Sequence, residues 1–271
     1  MEPSDRQLSL TFVGTATTLV RYGGLTLLTD PNFLHRGQRA YLGKGLVAKR
    51  LTEPALGVAD LPRLDAVVLS HLHGDHFDRV ARRGLPHDVP LLTTPHARRR
   101  LAGRHGFTDV TGLGTWDSRT LVRDGVQVRV TAAPGRHAPE PWQRLLPPVM
   151  GSVWEFGPAG ARAEFTLYVS GDTLNVLELR EIPLRYPEVD LAVLHLGGTT
   201  LPGGLVVTMD GVQGADLLQV VEPVHAVPVH VDDYRLFRSP LSHFRDEVER
   251  RGLGDVVRYV ARGQTAVFPA R

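Results

Sequence analysis

The sequence contains no cysteine among its 271 residues. Disulfides, a thiolate nucleophile, cysteine-ligated zinc fingers and iron–sulfur clusters are therefore excluded. Any bound metal ion must be held by histidine and carboxylate side chains, and the chain has 12 histidines. The excess of histidine over cysteine is the first indication of where to look for chemistry.

Lysine is also scarce, because it occurs only at Lys44 and Lys49 and arginine supplies the other basic side chains. The formal net charge is +2, so no strong positive field favours nucleic acid or an anionic membrane. Arg82, Arg83 and the arginines at 98–100 fall in predicted helices, where we interpret them as a solvated face. We therefore expect a small-molecule substrate and no nucleic-acid partner.

Long apolar runs are absent as well. A membrane-spanning helix needs about 18 consecutive apolar residues, and runs such as 66–69 are far shorter. Residues 1–5 lack the basic region and apolar stretch of a secretory signal. These absences predict a cytoplasmic protein without an integral membrane segment. The oligomeric state stays open, with a homo-oligomer as one alternative.

Short apolar or β-branched runs bounded by glycine and proline predict strands along the whole chain. The predicted strands include 8–13, 17–22, 25–29, 66–69, 90–93, 152–156, 165–170, 191–194, 226–230 and 256–261, with mostly strand over 110–132. Helices are predicted over 77–83, 95–103, 210–221 and 241–251, and residues 32–62 are predicted to be a long loop or a small excursion from the main fold. With no linker or repeat, the pattern predicts one α+β domain over 1–271, with two β layers and helices outside.

The strongest motif is the hexapeptide HLHGDH at residues 71–76, directly after the predicted strand 66–69. Alternate residues of extended chain point the same way, so His71 and His73 can bind one ion together. Gly74 permits a sharp turn, after which Asp75 and His76 can bind a second ion. A polar turn with chance histidines is the alternative interpretation, but four residues of ligand type in this order disfavour it.

Three further candidates lie just past the carboxyl ends of predicted strands, namely His137, Asp172 and His230. Loops that follow neighbouring strands converge on one site, so we expect these side chains to meet residues 71–76. His195 shares this position and is a candidate proton donor, with a structural, hydrogen-bonded histidine as the alternative. The remaining histidines are interpreted as loop or surface residues: His35, His87, His96, His105, His225 and His243.

In their order and spacing, residues 71–76, His137, Asp172 in a Gly-Asp-Thr setting and His230 resemble the metallo-β-lactamase-fold hydrolases. The resemblance extends from about residue 8 to 268. Within that superfamily, the chain is similar to the L-ascorbate-6-phosphate lactonase-like branch, which also resembles N-acyl-phosphatidylethanolamine phospholipase D. The segments that carry this narrower resemblance are residues 197–198, 208–210 and 228–230.

The resemblance implies a four-layer αββα sandwich with two divalent metal ions at one edge. The first ion would be bound by His71, His73 and His137. The second would be bound by Asp75, His76 and His230, and Asp172 would bridge the two. Zinc suits histidine-rich ligation best, while the carboxylates also suit manganese or iron.

Two cations close together lower the pKa of a water molecule between them from about 16 toward about 7. A metal-bridging hydroxide would then attack a carbonyl carbon or a phosphorus atom at neutral pH. Asp75 would orient this hydroxide besides binding metal, and His195 would be a second catalytic candidate. The sequence has no G-x-S-x-G elbow and no complete dinucleotide fingerprint, so serine-hydrolase and nicotinamide chemistry have no support.

Some branches of the superfamily are excluded or disfavoured. The lactamases with a cysteine ligand are excluded because the chain has no cysteine. The subgroup with only histidine and aspartate ligands lacks a bridging residue such as Asp172 and is normally exported, so β-lactam hydrolysis is not the expected role. Oxygen-reducing di-iron relatives carry a different carboxylate pattern from His73 and Asp75, which disfavours redox chemistry.

Substrate choice must come from loops around the metal ions, and two loops carry suitable side chains. Residues 32–50 and 136–149 combine arginine with aromatic residues, which suits an anionic substrate such as a phosphorylated sugar lactone or a phosphodiester. Ordinary exposed loop chemistry is the alternative interpretation. The candidate substrate contacts are Arg36, Tyr41, Arg136, Trp142 and Arg144.

Three functional hypotheses follow. The leading one is a dinuclear metal-dependent hydrolase that acts on a lactone or other ester of a small anionic substrate. The second is a phospholipase D-like phosphodiesterase, for which Leu34, Leu42, Leu145 and Leu146 could form an apolar patch near the site. The third is a non-catalytic metal-binding protein, which the complete set of candidate ligands disfavours.

Overall fold

Two β-sheets form the centre of the molecule in the computed structural model, which describes residues 7–270. In chain order, the strands are β1 (Gln7–Gly14), β2 (Thr17–Tyr22), β3 (Leu25–Thr29), β4 (Arg39–Gly43), β5 (Leu46–Lys49), β6 (Ala66–Val68), β7 (Leu91–Thr93), β8 (Val110–Gly112), β9 (Ser118–Arg123), β10 (Val126–Ala133), β11 (Gly151–Pro158), β12 (Phe165–Val169), β13 (Leu191–His195), β14 (Thr200–Leu201), β15 (Leu205–Val206), β16 (His225–Val229) and β17 (Thr265–Pro269). The α-helices are α1 (Arg79–Gly84), α2 (Pro95–His105), α3 (Glu181–Arg185), α4 (Gly211–Val221) and α5 (Leu241–Arg250).

The first sheet has seven strands in the order β17-β1-β2-β3-β6-β7-β8, and the second has six in the order β16-β13-β12-β11-β10-β9. Both sheets are mixed. Strands β3, β6, β7 and β8 pair in parallel, as do β12, β13 and β16. Strands β10 and β12 are both antiparallel to β11, so they too run in one direction.

Three apolar layers hold the sheets and helices together. Side chains such as Leu10 and Trp154 fill the space between the sheets. On the outer face of the first sheet, Ala97 and Leu101 of α2 pack against its strands. On the outer face of the second sheet, helices α3, α4 and α5 contribute residues such as Phe244. The order helix, sheet, sheet, helix confirms the predicted four-layer αββα sandwich.

Helix ends follow from local sequence. Asp78 precedes α1, and its side chain accepts hydrogen bonds from the free backbone N–H groups of the first turn. Thr94 caps α2 in the same way, Pro95 occupies its first turn, and Gly106 ends it with a left-handed φ of 75°. Asp210 caps α4. None of the helices between residues 7 and 270 combines the length and apolarity that crossing a bilayer requires.

One prediction about secondary structure fails, and another becomes more specific. The predicted strand 256–261 is wrong: this segment contributes only an isolated bridge between Ala226 and Val257, and the last strand is β17. Val256 and Val257 pack in the layer that holds the outer helices, and Val260 packs against the core between the sheets. The predicted loop 32–62 contains the β4–β5 hairpin. Its strands are only five and four residues long and flank a Gly-Lys-Gly turn, which hides them in a glycine-rich sequence.

Candidate metal centre

The loop after β6 carries residues 71–76 and is held by backbone and side-chain hydrogen bonds. The Gly74 N–H donates to the Tyr41 carbonyl at 3.0 Å. A Cβ on Gly74 would lie 2.5 Å from that oxygen, so only glycine fits against the β4–β5 hairpin. On the other side, the Asn32 side-chain amide donates to the Gly74 carbonyl at 2.9 Å. The turn predicted at Gly74 is therefore fixed from two directions.

One cluster consists of His71, His73 and His137, which the structure brings within reach of one metal ion. His71 Nε2 lies 2.9 Å from His73 Nδ1, and His137 Nε2 lies 3.3 Å from the same atom. Nitrogens bound to a tetrahedral zinc at 2.0–2.1 Å would be about 3.3 Å apart. These spacings are those of donor atoms that share a cation.

Hydrogen bonds orient two of these rings. The His137 Nδ1–H donates to the Val207 carbonyl at 2.6 Å. The Ser70 hydroxyl donates its hydrogen to Asp30. The Ser70 oxygen can therefore accept from the His71 Nδ1–H at 3.0 Å. In both rings, the Nε2 lone pair therefore points into the cluster, as metal-binding histidines require.

The second cluster consists of Asp75, His76, Asp172 and His230, all buried. Asp172 is central to it: Oδ2 lies 3.2 Å from His76 Nε2, and Oδ1 lies 3.6 Å from His230 Nδ1. His230 Nε2 lies 3.7 Å from Asp75 Oδ2. The Asp172 carboxylate also raises the pKa of His71, His73 and His137 against larger opposing effects, so its field reaches both clusters. Its carboxylate oxygens group with the second cluster, and the bridging role stays a prediction.

A third group, formed by Asp30, His76 and His195, lies behind the second cluster. Asp30 Oδ2 is 3.1 Å from His76 Nδ1 and 3.6 Å from His195 Nε2. His195 also contacts the Ser170 hydroxyl through Nδ1 at 3.1 Å. Among the described residues, the lining of the neighbouring cavity includes His73 and Asp75 but not His195 or Asp30.

Asp30 is a site residue that the sequence analysis missed. It follows the carboxyl end of β3, just as Asp172 follows β12, so the criterion that selected Asp172 would have selected it too. Its carboxylate also accepts from the Ser70 N–H at 2.7 Å. Asp30 thereby links the loop after β6, through Ser70 and His76, to His195 of the second sheet.

The histidines of the first cluster are kept neutral. Burial, together with neighbouring histidines, holds the pKa of His71 well below its usual range. Burial and the adjacent His137 lower the pKa of His73 to about 3. Burial also lowers the pKa of His137. Neutral imidazole is the form that binds a metal ion, so at neutral pH this cluster is ready to do so.

The second cluster is dominated by carboxylates. Burial raises the pKa of Asp172, but His230 and His76 outweigh it and hold that pKa well below the usual range. Burial lowers the pKa of His76, yet Asp172, Asp30 and Asp75 together raise it well above the usual range. Three buried carboxylates around one imidazole thus create a strong demand for positive charge, which a divalent cation would meet.

Unpaired polar atoms test whether the clusters suit a metal. Buried donors and acceptors in proteins are nearly always hydrogen-bonded. Within residues 7–270, several atoms that face one another in the second cluster are buried without a hydrogen-bond partner. They are Asp75 Oδ1, His76 Nε2, Asp172 Oδ1 and both ring nitrogens of His230. Nitrogen and oxygen donors left unpaired around one point fit a metal ion.

A cavity of about 1320 Å³ opens onto these clusters, and His73, Asp75, His137 and Asp172 line it. Ligand pockets usually measure about 300–1,000 Å³, so there is room beside the clusters for a sizeable organic molecule. The four leucines named for an apolar patch all line this cavity: Leu34, Leu42, Leu145 and Leu146.

The predicted substrate contacts divide into two sets. Tyr41 and Arg144 line the cavity. Arg36, Arg136 and Trp142 are not among its lining residues in the described chain. The Arg36 backbone N–H donates to Glu53, the Arg136 guanidinium pairs with Glu178, and half of the Trp142 side chain is exposed in a short 3-10 helix.

Several arginines interpreted as a solvated face have a different position. Arg82 of α1 and Arg100 of α2 line the cavity, together with Arg104. Of the histidines interpreted as loop or surface residues, His96 and His105 also line it, and His225 begins strand β16. The spacing of 96, 100 and 104, four residues apart on one helix face, is the signal that could have identified this side of the cavity.

A buried network of hydrogen bonds holds the loops that carry the two clusters. Arg50 and Asp233 are fully buried and form an ion pair at 3.5 Å. Arg50 also donates to both oxygens of Asn32, the residue that holds Gly74. Asp233 accepts from the Thr15 N–H at 2.8 Å, and the Thr15 carbonyl accepts from the His230 N–H at 2.7 Å. One ion pair therefore positions loops that carry members of both clusters.

The family comparison agrees with this geometry. Residues 26–231 match the model of the beta-lactamase superfamily domain. The chain belongs to the metallo-β-lactamase superfamily. A UPF0173 metal-dependent hydrolase of Deinococcus radiodurans is 31% identical over 203 residues, 74% of this chain and 78% of that protein. The superfamily predicted from residues 71–76 and their partners is thereby confirmed.

Other relatives agree on fold and differ in length. The N-acyl-phosphatidylethanolamine-hydrolyzing phospholipase D 1 of Caenorhabditis elegans is 29% identical over 204 residues, 72% of this chain and 55% of that protein. The matched region thus spans about half of the worm protein. The isothiocyanate hydrolase structure from Delia radicum gut bacteria superposes with a TM-score of 0.81 at 23% identity, covering 97% of this chain and 100% of that one. The narrower resemblance to the ascorbate-6-phosphate lactonase branch stays a prediction.

Proposed function

We propose that the chain is a metal-dependent hydrolase with two divalent ions, acting on a lactone or other ester of a small anionic substrate. The observation that carries this proposal is the convergence of two buried His/Asp clusters with unpaired donor atoms at one end of a cavity. Membership of a superfamily whose similar members include a protein named metal-dependent hydrolase supports it.

The ligand roles follow the two clusters. His71, His73 and His137 would hold the first ion, and Asp75, His76 and His230 the second, with Asp172 between them. Zinc is the ion favoured by the histidine-rich first cluster, and manganese or iron suits the carboxylates of the second. When bound, a pair of such ions activates water and polarises the substrate's electrophilic group.

The chain's own residues would then complete the chemistry. Asp75 lines the cavity and has Oδ1 unpaired, so it can orient a water molecule besides binding metal. His195 faces Asp30 rather than the cavity, which supports a role in positioning Asp30 and His76 in place of direct proton donation. Ser70 and Thr208 hold ligand side chains through hydrogen bonds.

A phosphodiesterase is the second candidate. Two observations favour it: the 29% identity to a relative named for hydrolysing N-acyl-phosphatidylethanolamine, and the cavity walls, which combine leucines such as Leu145 and Leu146 with arginines. A molecule with an apolar part and a phosphate fits such walls. Ester and phosphodiester hydrolysis need the same two-ion arrangement, so substrate tests must separate them.

The deciding experiment is a hydrolysis screen on metal-loaded protein with lactones, phosphodiesters, thioesters and β-lactams. We expect turnover of an anionic lactone or ester, and its loss in His137→Ala. His225→Ala is the matched control, because His225 begins β16 and lies outside the three groups. Activity on phosphodiesters alone would replace the leading candidate with the second.

A further inference from the structure

One side of the cavity is built by α1 and α2 and is strongly basic. Arg82 comes from α1, and Arg100 and Arg104 come from one face of α2, four residues apart. His96 and His105 of α2 line the same side. None of these residues has been given a role by the two-ion proposal, so this side of the cavity has a function still to be explained.

The three arginine side chains converge. Besides burial, Arg82, Arg104 and Arg100 each lower the pKa of His105, which places all three charges around one imidazole. Among residues 7–270, none of the three guanidinium groups forms an ion pair or a side-chain hydrogen bond with another residue. Like charges gathered without a counter-charge repel one another, and an anion relieves that repulsion.

The nearby acidic residue does not supply that anion. Asp78 lines the cavity, but its carboxylate accepts four backbone N–H groups, those of Phe33, Leu34, Val80 and Ala81. Asp75 and Asp172 also line the cavity, and they belong to the second cluster. The arginines therefore stay available for a ligand.

This basic side is adjacent to the metal loop. Phe77, the residue after His76, stacks edge-on against Phe107 at a centroid distance of 5.7 Å, and Phe107 lies two residues past the end of α2. Leu72, within the loop, lines the same cavity as Arg100. The same cavity therefore borders the clusters and the arginines, and its walls include apolar side chains such as Leu72.

We propose that Arg82, Arg100 and Arg104 form a binding subsite for a phosphate or similarly dianionic group of the substrate, remote from the bond that is cleaved. Arginine binds phosphate through paired N–H donors, which gives both strength and orientation. The proposal deepens the proposed function, on which it rests for the position of the cleaved bond, and it adds a second anchoring point in the cavity.

Binding can be measured apart from hydrolysis. The probe is phenylphosphonate, a soluble dianion with no ester bond to cleave, titrated calorimetrically into the metal-loaded protein. We expect the Arg100→Gln/Arg104→Gln variant to bind it about tenfold more weakly, the loss of roughly one charge-assisted contact. The matched control is Arg83→Gln/Arg99→Gln, which removes the same amount of charge, one arginine from α1 and one from α2, outside the cavity lining, and we expect its affinity to change less than about twofold.

Equal phenylphosphonate affinities in the two double variants would overturn the proposal. Phosphonate bound by the metal ions alone would be affected by neither pair of substitutions, so equal affinities would mean that the arginines do not bind it. A parallel titration with phosphatidic acid vesicles separates sources of phosphate. If the arginines affected vesicle binding and left phenylphosphonate binding unchanged, the basic side would be a membrane-facing surface and the subsite would be rejected.

Kinetics then distinguish failure of the subsite from failure of the proposed function. With an ester that carries a remote phosphonate, we expect KM to rise about tenfold in Arg100→Gln/Arg104→Gln, while a neutral ester of the same shape shows no change. If no ester is hydrolysed at all, the proposed function fails, and the titration alone still decides the subsite. Unchanged KM for the phosphonate ester would contradict the subsite while leaving the hydrolase proposal intact.

Discussion

The two clusters beneath the cavity are built from different donors. His71, His73 and His137 form one from nitrogen alone, and burial keeps these rings neutral. The other adds two carboxylates, Asp75 and Asp172, which together with Asp30 raise the pKa of His76 against the opposing effect of burial. The difference teaches that the clusters should bind metal with different dependence on pH and on ion type.

The largest effect is expected at Asp172, because it contacts the second cluster and its field reaches the first. Asp172→Ala should lose metal from both positions and abolish hydrolysis, which corresponds to a fall in kcat/KM of at least about 1,000-fold. Metal content by elemental analysis and turnover are measured on the same sample. Loss of only one ion would show that Asp172 belongs to the second cluster alone.

His73→Ala should affect the first cluster selectively. It removes the nitrogen that lies between His71 and His137, so about one ion per chain should be lost, with hydrolysis abolished and the fold intact. Circular dichroism checks the fold. The control His225→Ala should keep both ions, and retention of full activity by His73→Ala would contradict the assignment.

Asn32→Ala should have a smaller effect that reaches both clusters through backbone position. Asn32 holds the Gly74 carbonyl and accepts from Arg50 and from the Tyr234 hydroxyl. Changes to residues that orient metal ligands typically cost about 10- to 100-fold in affinity or activity. We expect metal affinity to fall by that amount, and Asn32→Asp, which keeps the acceptor, to recover only part of it. Unchanged affinity in Asn32→Ala would remove this residue from the positioning network.

The smallest effect concerns the stability of metal-free protein. His73 has a pKa of about 3 when folded, whereas an unfolded histidine titrates near about 6.5. Between these values the unfolded state binds more protons, so stability falls as pH decreases through this window and is unaffected above it. In His73→Asn, the free energy of unfolding should fall less steeply with decreasing pH than in the unsubstituted protein. The difference in slope is at most about 1.4 kcal/mol per pH unit. Denaturant unfolding at pH 7 and pH 5 measures this free energy in both proteins. An equal change between the two pH values in His73→Asn and in the unsubstituted protein would contradict the lowered pKa of His73.

Sequence patterns were most informative where chemistry and strand ends coincide. Residues 71–76, His137, Asp172 and His230 were selected because they follow strands, and the structure brings them together at one edge of the two sheets. Asp30 fulfils the same criterion, because it directly follows β3, and it lies against His76. The same rule, applied without exception, would have found it.

Long-range packing set the limit of prediction. Arg50 and Asp233 form an ion pair although they lie 183 positions apart in the sequence, a separation that no local pattern reveals. The substrate contacts depend on where loops lie in space, and so Tyr41 and Arg144 line the cavity while Arg36, Arg136 and Trp142 do not. Arg82 and Arg100 show the converse, since residues interpreted as solvated line the cavity.

Metal content measured together with turnover tests the central claim most directly. Purified protein, loaded with zinc and dialysed, is analysed for metal per chain and for hydrolysis, before and after removal of metal by a chelator. The account predicts about two ions per chain, loss of turnover with their removal, and its return on adding zinc or manganese. Protein that turns over substrate at the full rate without metal would contradict it.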